Sequence, residues 1–437
     1  MSIELGSILM LGATMALLAI GLPFAFSTGI VACLFAMGVA GPAGLTLITA
    51  RTHSFMTEFV LASVPMFILM ASILERSGVA QDLFNAVHIW AGGIKGGVGV
   101  ATMFMAVLIG ATIGVIGGEV TLLGIVALPQ LFRLGYDRKL SIGMICAGGA
   151  LGSMIPPSII LVFFGLAGNV PIGDLLLASV MPGLLLAGLY ALYILIRCQL
   201  NPKMGPVADL RERTVPFVQK LKLMKGLVLP LFIVMAVMGS IYAGFASVTE
   251  SAALGVLGVL FAVWVRGEFS WTMLFDSLKQ TMATCGTVLW LVFGANALIG
   301  VYNLMGGIGF MQRLMQGLDL PPFMMIVAIM VIWVILGSAL EWIAIMLLTL
   351  PIFLPIVKSL GYDPVWFGIL FNLNMQIAYL SPPFGGACFF LKGVAPPDVT
   401  MEEIFNSTWP WMGLQLIGLA LVMAFPEIAL WLPRLAQ

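Results

Sequence analysis

The groups able to do chemistry in this 437-residue chain are few, and they gather around two proline pairs. Pro156-Pro157 sits in Gly-Ser-Met-Ile-Pro-Pro-Ser (152 to 158) and Pro382-Pro383 in Leu-Ser-Pro-Pro-Phe-Gly-Gly (380 to 386), each within a long uncharged stretch. The residue before a proline is pushed out of helical geometry, so an apolar helix broken there releases carbonyl oxygens. A second interrupted segment precedes each pair: Gly110, Gly114, Gly117 and Gly118 before Glu119 in one, Gly337-Ser338 before Glu341 in the other. Glycines let a helix unwind and expose further carbonyls. A broken tip facing an unwound helix supplies neutral oxygens suited to a hard monovalent cation, without a full carboxylate cage. Glu119, Glu250 and Glu341 are the carboxylates in such surroundings, and intramembrane carboxylates are functional by default. Each has a plainer alternative in an interfacial position or a helix-terminal hydrogen bond. For Glu250, which follows Ser247 and Thr249, that alternative is a helix cap.

The elements that position these groups are repeated. Leu-Gly-Tyr-Asp occurs at 134 to 137 and again at 360 to 363, an offset of 226 residues. The same offset superposes both proline pairs, Pro129 on Pro355 and Phe163-Phe164 on Phe389-Phe390. Repeated halves with broken hydrophobic segments are the sign of a secondary transporter whose site lies where the halves meet. Composition agrees: 61% hydrophobic and 9% charged residues leave too little polar surface for a soluble domain of this length. Leu5 to Ala50 could supply two membrane crossings, and further spans are expected within 95–119, 174–197, 225–250, 319–341 and 403–427. The first residues read as a retained helix rather than a removed signal. A formal net charge of zero argues against a nucleic-acid partner. Five scattered cysteines and two distant histidines make neither a disulfide framework nor a metal site. An intramembrane enzyme is disfavoured for want of a convergent constellation, and a passive channel because such repeats more often alternate access.

The chain thus reads as an all-α polytopic membrane protein of two halves, 1–200 and 227–437. A basic linker at 201–226 is placed in the cytoplasm by the positive-inside rule. If the halves are inverted repeats, each crosses an odd number of times and both termini lie in the periplasm; two parallel halves would place them in the cytoplasm. The proline pairs would be tips of re-entrant hairpins, at about 140–173 and 364–395, because the eight residues between the second tip and Lys392 cannot span the core. Such tips must be buried in protein or line a wet cavity. Segments 80–95 and 268–280 read as amphipathic interfacial arms or as ordinary loop helices.

Over nearly its whole length the sequence resembles the large membrane subunit of tripartite ATP-independent periplasmic (TRAP) transporters. The residues that carry the likeness are Gly135-Tyr136-Asp137, Leu151-Gly152 with Ile155-Pro156-Pro157-Ser158, Thr249-Glu250-Ser251-Ala252-Ala253, Ser381-Pro382-Pro383-Phe384-Gly385 and Gly393-Val394-Ala395-Pro396. The resemblance implies a sodium-coupled importer of an organic anion in a bacterial inner membrane. It also implies a small four-helix membrane subunit (Q type) and a periplasmic solute-binding protein (P type) as partners, with membrane lipid around them. The implied fold is a static scaffold and an elevator-type transport domain carrying both hairpins. Sodium ligands carried over by the resemblance are Ser153, Ser158, Gly110 and Thr112 around the first tip, and Ser381, Gly385, Gly337 and Ser338 around the second. Asn372 and Asn374 are further candidates, and Pro156, Pro157, Pro382 and Pro383 are candidates to border the substrate. The chain departs from the family pattern at Glu119, where a small polar residue is usual, and at Ala344, where an acid is often found. A self-sufficient ion-coupled anion transporter, without a binding protein, is the alternative with the same paired hairpins.

Overall fold

The repeated Leu-Gly-Tyr-Asp is a stop followed by a start. Gly135 and Gly361 take positive φ of 78° and 83°, which ends the preceding helices. Asp137 and Asp363 then cap the next ones, their carboxylates accepting from the backbone N–H of Leu140 at 2.9 Å and of Val365 at 2.7 Å. In this computed structural model, which describes residues 2–78, 93–113, 117–207, 225–317, 320–338 and 340–436, the regular structure is entirely helical. Its α-helices are α1 Ile3–Ala19, α2 Phe24–Ala40, α3 Ala43–Met56, α4 Ser63–Arg76, α5 Gly97–Ile113, α6 Gly118–Val126, α7 Leu128–Arg133, α8 Arg138–Leu151, α9 Ile159–Gly168 and α10 Ile172–Leu200. They continue with α11 Lys225–Tyr242, α12 Val248–Val265, α13 Trp271–Leu304, α14 Gly307–Gln316, α15 Pro322–Gly337, α16 Trp342–Ser359, α17 Pro364–Leu380, α18 Gly386–Val394, α19 Met401–Ala424 and α20 Glu427–Ala436.

Among the described residues, six helical segments are long and apolar enough to cross a membrane, and the pair on either side of Pro156-Pro157, bent by 41° at the break, makes a seventh if it is one broken span. The interval expected to hold two crossings forms three helices, α1 to α3. Segment 268–280 is no separate arm. It opens the 34-residue helix α13, because neither proline nor glycine interrupts the chain between Trp271 and Cys285. Segment 80–95, apart from 93–95, and linker residues 208–224 lie outside the described residues. The described start of the linker docks under the first repeat: Asp137 N–H donates to Met204 O and Gly96 N–H to Gly205 O, both at 3.0 Å.

Two packing groups are visible. Helix α13 lies along α2, α3 and α4, and α12 packs on α4 and α11. In the other group α8 packs on α5, α6 and α19, while α17 packs on α10, α15 and α19. The groups meet where α13 touches α16 and where α5 touches α4 and α11. Close approach depends on missing side chains. A Cβ on Gly294 would lie 2.4 Å from Ala25 O at the α13–α2 crossing, and one on Gly143 would lie 2.3 Å from Ser407 O at the α8–α19 crossing.

The two sequence halves are also tied at one surface. Arg138, opening α8, holds Glu403 at 3.0 Å and Asp398 at 2.8 Å, both on the far side of the second broken segment. The guanidinium keeps the Asp398 carboxyl below the usual carboxylate range. A depressed carboxylate contributes stability above its unfolded value, about pH 4, and loses that contribution as pH falls through the folded one. Asp398→Asn should therefore melt slightly below the wild type at pH 7 and together with it under acid conditions. Thermal melts across pH check this, and a pH-independent difference would refute it. The effect is modest because both partners are exposed.

Candidate functional site

At the first tip α8 passes through a tight turn, 152–154, before the prolines. The Ser153 carbonyl is the meeting point: Ser158 Oγ donates to it at 2.5 Å, and Asn372 Nδ2, from α17 in the other half, at 3.0 Å. Ser153 Oγ donates to Ala150 O at 2.9 Å. Asn372 and Ser158 are fully buried, and Asn372 Oδ1 has no hydrogen-bond partner among the described residues. An orphaned buried carbonyl costs about 1–3 kcal/mol, so it asks for a ligand. The backbone is drawn in from two sides. A Cβ on Gly110 would lie 2.4 Å from Gly152 Cα, and one on Gly152 would lie 1.5 Å from Glu119 Oε2. A void of about 10 Å³ adjoins Ser153, bordered by Gly117, Gly149, Ala150 and Tyr379, enough for little more than one water-sized particle.

The second tip is built differently. Ser381 Oγ donates to Ala378 O at 3.1 Å, and Thr408 Oγ1, from α19, donates to Leu380 O at 3.2 Å. Gly337, ending α15, packs where a Cβ would meet Ala378 Cβ at 2.4 Å. Gly385 has φ of +28°, with the Phe405 ring closing the space above it. Beside this tip opens a cavity of about 450 Å³, bordered among others by Gly337, Glu341, Tyr379, Pro383, Gly386 and Phe389.

The structure therefore groups Gly110, Ser153, Ser158 and Asn372 with Glu119 at one tip, and Gly337, Ser381 and Gly385 at the other. Several candidates stand apart. Asn374 Nδ2 donates to Met330 O at 2.9 Å, toward α15 rather than the tip. Ser338 Oγ donates to Ile335 O, one turn back. Glu250 is exposed and completes a capping box, accepting from Ser247 N–H and Oγ at 2.7 Å each. Of the four prolines only Pro383 borders the large cavity; Pro156 and Pro157 are buried. The side chain of Thr112 lies outside the described residues, as does Gly114. Two residues escaped the sequence reading. Thr408 carries no local signal, being one hydroxyl in a spanning helix. Tyr379 could have been found, since it stands at the repeat position of Ser153.

The family model described as the DctM component of tripartite ATP-independent periplasmic transporters matches residues 11–428. The chain belongs to this family. As a large permease it is similar to the C4-dicarboxylate TRAP transporter large permease of Vibrio cholerae, at 28% identity covering 100% of this chain and 98% of that protein. It is also similar to the ectoine TRAP transporter large permease of Halomonas elongata, at 29% identity over 86% of each. Among solved structures, the YdaH transporter of Alcanivorax borkumensis shares the fold with a TM-score of 0.62 at 16% identity, covering 96% of this chain and 99% of that one. The permease is a multi-pass bacterial membrane transport protein. Among its described residues there is no group of three or more His, Cys, Asp or Glu able to hold a metal.

Proposed function

We propose that the permease imports a small organic carboxylate by sodium-coupled, elevator-type alternating access. A periplasmic solute-binding protein delivers the solute, and a small four-helix subunit works beside the permease. The observation that carries this reading is the neutral oxygen cluster at the first tip, where buried Asn372 Oδ1 lacks a partner beside the Ser153 carbonyl. Sodium is assigned to Ser153, Ser158, Gly110 and Asn372 at that tip, and to Ser381, Gly385, Gly337 and Thr408 at the other. The halves 1–200 and 227–437 act as inverted repeats with both termini periplasmic. The group around α13 is the scaffold, and the group around α8 and α17 moves. Glu119 and Glu341 are the intramembrane acids beside the two tips.

Sodium binding rigidifies both tips and so favours solute binding; it can shift the equilibrium only by its differential affinity for the end states. Liposomes containing the permease and its partners should accumulate solute with an inward sodium gradient. Uptake of equal rate and extent in potassium-only buffer would remove the coupling.

A further inference from the structure

We propose that the cavity beside the second tip takes an organic zwitterion, a compact solute with a carboxylate at one end and a quaternary or secondary ammonium group at the other, in preference to a dicarboxylate. The proposal rests on the transport reading above and narrows its substrate class.

The lining decides the charge. Of the described residues that border the cavity, only Glu341 and Tyr379 are ionisable; no lysine, arginine or histidine is among these described residues. Glu341 is exposed toward this space, and no hydrogen bond or ion pair engages its carboxylate among the described residues. A dianion would bring its second charge against that carboxylate with no cationic side chain among the described lining residues to offset it. A solute ammonium would supply the missing partner.

The remaining surface suits the same group. Trp342, Tyr379, Phe384, Phe389 and Phe390 all border the cavity. Aromatic faces attract a desolvated cation, most strongly one too substituted to hold its own water. Two of these rings pack against neighbours. The Phe390 ring covers Gly117, where an added Cβ would lie 2.6 Å from it, and Phe389 stands edge-on to Phe405 at 6.2 Å. Their exposure is a property of this place in the fold and not of the repeat. Phe163 and Phe164, the same residues in the first half, are fully buried against Trp342, Phe367 and Phe371, whereas Phe389 and Phe390 are 54% and 45% exposed. One copy of the pair builds core and the other borders the cavity. The solute carboxylate has a complementary end: Gly386, the first residue of α18, borders the cavity, and a helix amino end favours an anion.

Binding of radiolabelled trimethylglycine and radiolabelled succinate to the purified full-length permease in lipid nanodiscs, with sodium present, tests this. Trimethylglycine should bind at least tenfold more tightly than succinate. Glu341→Gln should erase that preference, weakening trimethylglycine about tenfold without weakening succinate, and Phe389→Leu should weaken trimethylglycine several-fold. Tighter binding of succinate by the wild type, no saturable binding of trimethylglycine, or an unchanged preference in Glu341→Gln would each overturn the proposal. The wild-type comparison decides even where a variant fails to fold. Repeating the titration in potassium separates the two claims. Equal trimethylglycine affinity in both salts would sink the sodium coupling and leave the zwitterion site standing, whereas sodium-dependent binding that favours succinate would do the reverse.

Discussion

Gly110→Ala is expected to reduce sodium-driven uptake about a hundredfold or more, although the change adds a single methyl group. The added Cβ would sit 2.4 Å from Gly152 Cα, where ordinary contact begins near 3.4 Å. The obstacle is backbone, so no rotamer change can relieve it. Helix α5 and the turn 152–154 must separate by about an ångström, and such overpacking costs roughly 1–3 kcal/mol in stability. The larger effect is on position: the displaced turn carries the Ser153 carbonyl, on which Ser158 and Asn372 converge. A misplacement of this size in a preorganised site costs far more function than stability. Gly188→Ala provides the contrast, because nothing lies within 4 Å of a Cβ there, on an exposed face of α10. That variant should transport normally and melt at or slightly above the wild-type temperature, since alanine favours a helix interior over glycine by about 0.5–1 kcal/mol. Uptake rates and sodium half-saturation in liposomes, with melting curves for both variants, make the comparison. Wild-type uptake by Gly110→Ala would show that the first tip tolerates displacement and is not the ion site.

What could be read in the sequence was what is encoded locally. Gly135 with Asp137, and Gly361 with Asp363, announce helix ends because positive φ and a capping carboxylate act within a few residues. Ser247 and Thr249 before Glu250 offered a helix cap in the same way, which the structure builds as a reciprocal box from Ser247. The proline pairs announced the breaks. What stayed hidden depends on which distant surfaces meet. Asn372 finds the Ser153 carbonyl across 219 residues, and the sequence marks the amide without naming its partner. Thr408 reaches Leu380 O from a helix that otherwise reads as a plain span. The phenylalanine pairs make the point most sharply, since identical residues at equivalent repeat positions end in core at 163–164 and beside the cavity at 389–390. Segment 268–280 was misjudged for the opposite reason. Its polar and aromatic mixture suggested an interfacial arm, but a helix ends only where something stops it, and nothing does before Leu304.

Unequal tips should give unequal sodium affinities, and Ser158→Ala is expected to lose about tenfold or more where Ser381→Ala loses only a few-fold. Both side chains are buried hydroxyls that donate to carbonyls, so composition alone would rank them equally. Their bonds differ in reach. Ser381 Oγ returns to Ala378 O within its own turn, a contact the backbone can dispense with, because Thr408 still braces the adjacent Leu380 carbonyl from α19. Ser158 Oγ instead bridges five residues across the proline pair to the carbonyl that Asn372 also holds. Its loss leaves the tip secured from one side and removes an oxygen from the cluster in which Asn372 Oδ1 already lacks a partner. A buried hydrogen bond of this kind is worth roughly 0.5–1.5 kcal/mol, and the lost ligand adds to it, which together reach the tenfold expected. Sodium titrations of solute binding for the two variants measure the ratio directly. Asn372→Ala, which removes the second anchor and the orphaned oxygen together, should weaken sodium at least as much as Ser158→Ala. The double variant should lose less than the product of the two, because both side chains act through one carbonyl. Equal losses at Ser158 and Ser381, or strict additivity of Ser158 with Asn372, would mean that the Ser153 carbonyl does not organise the ion site.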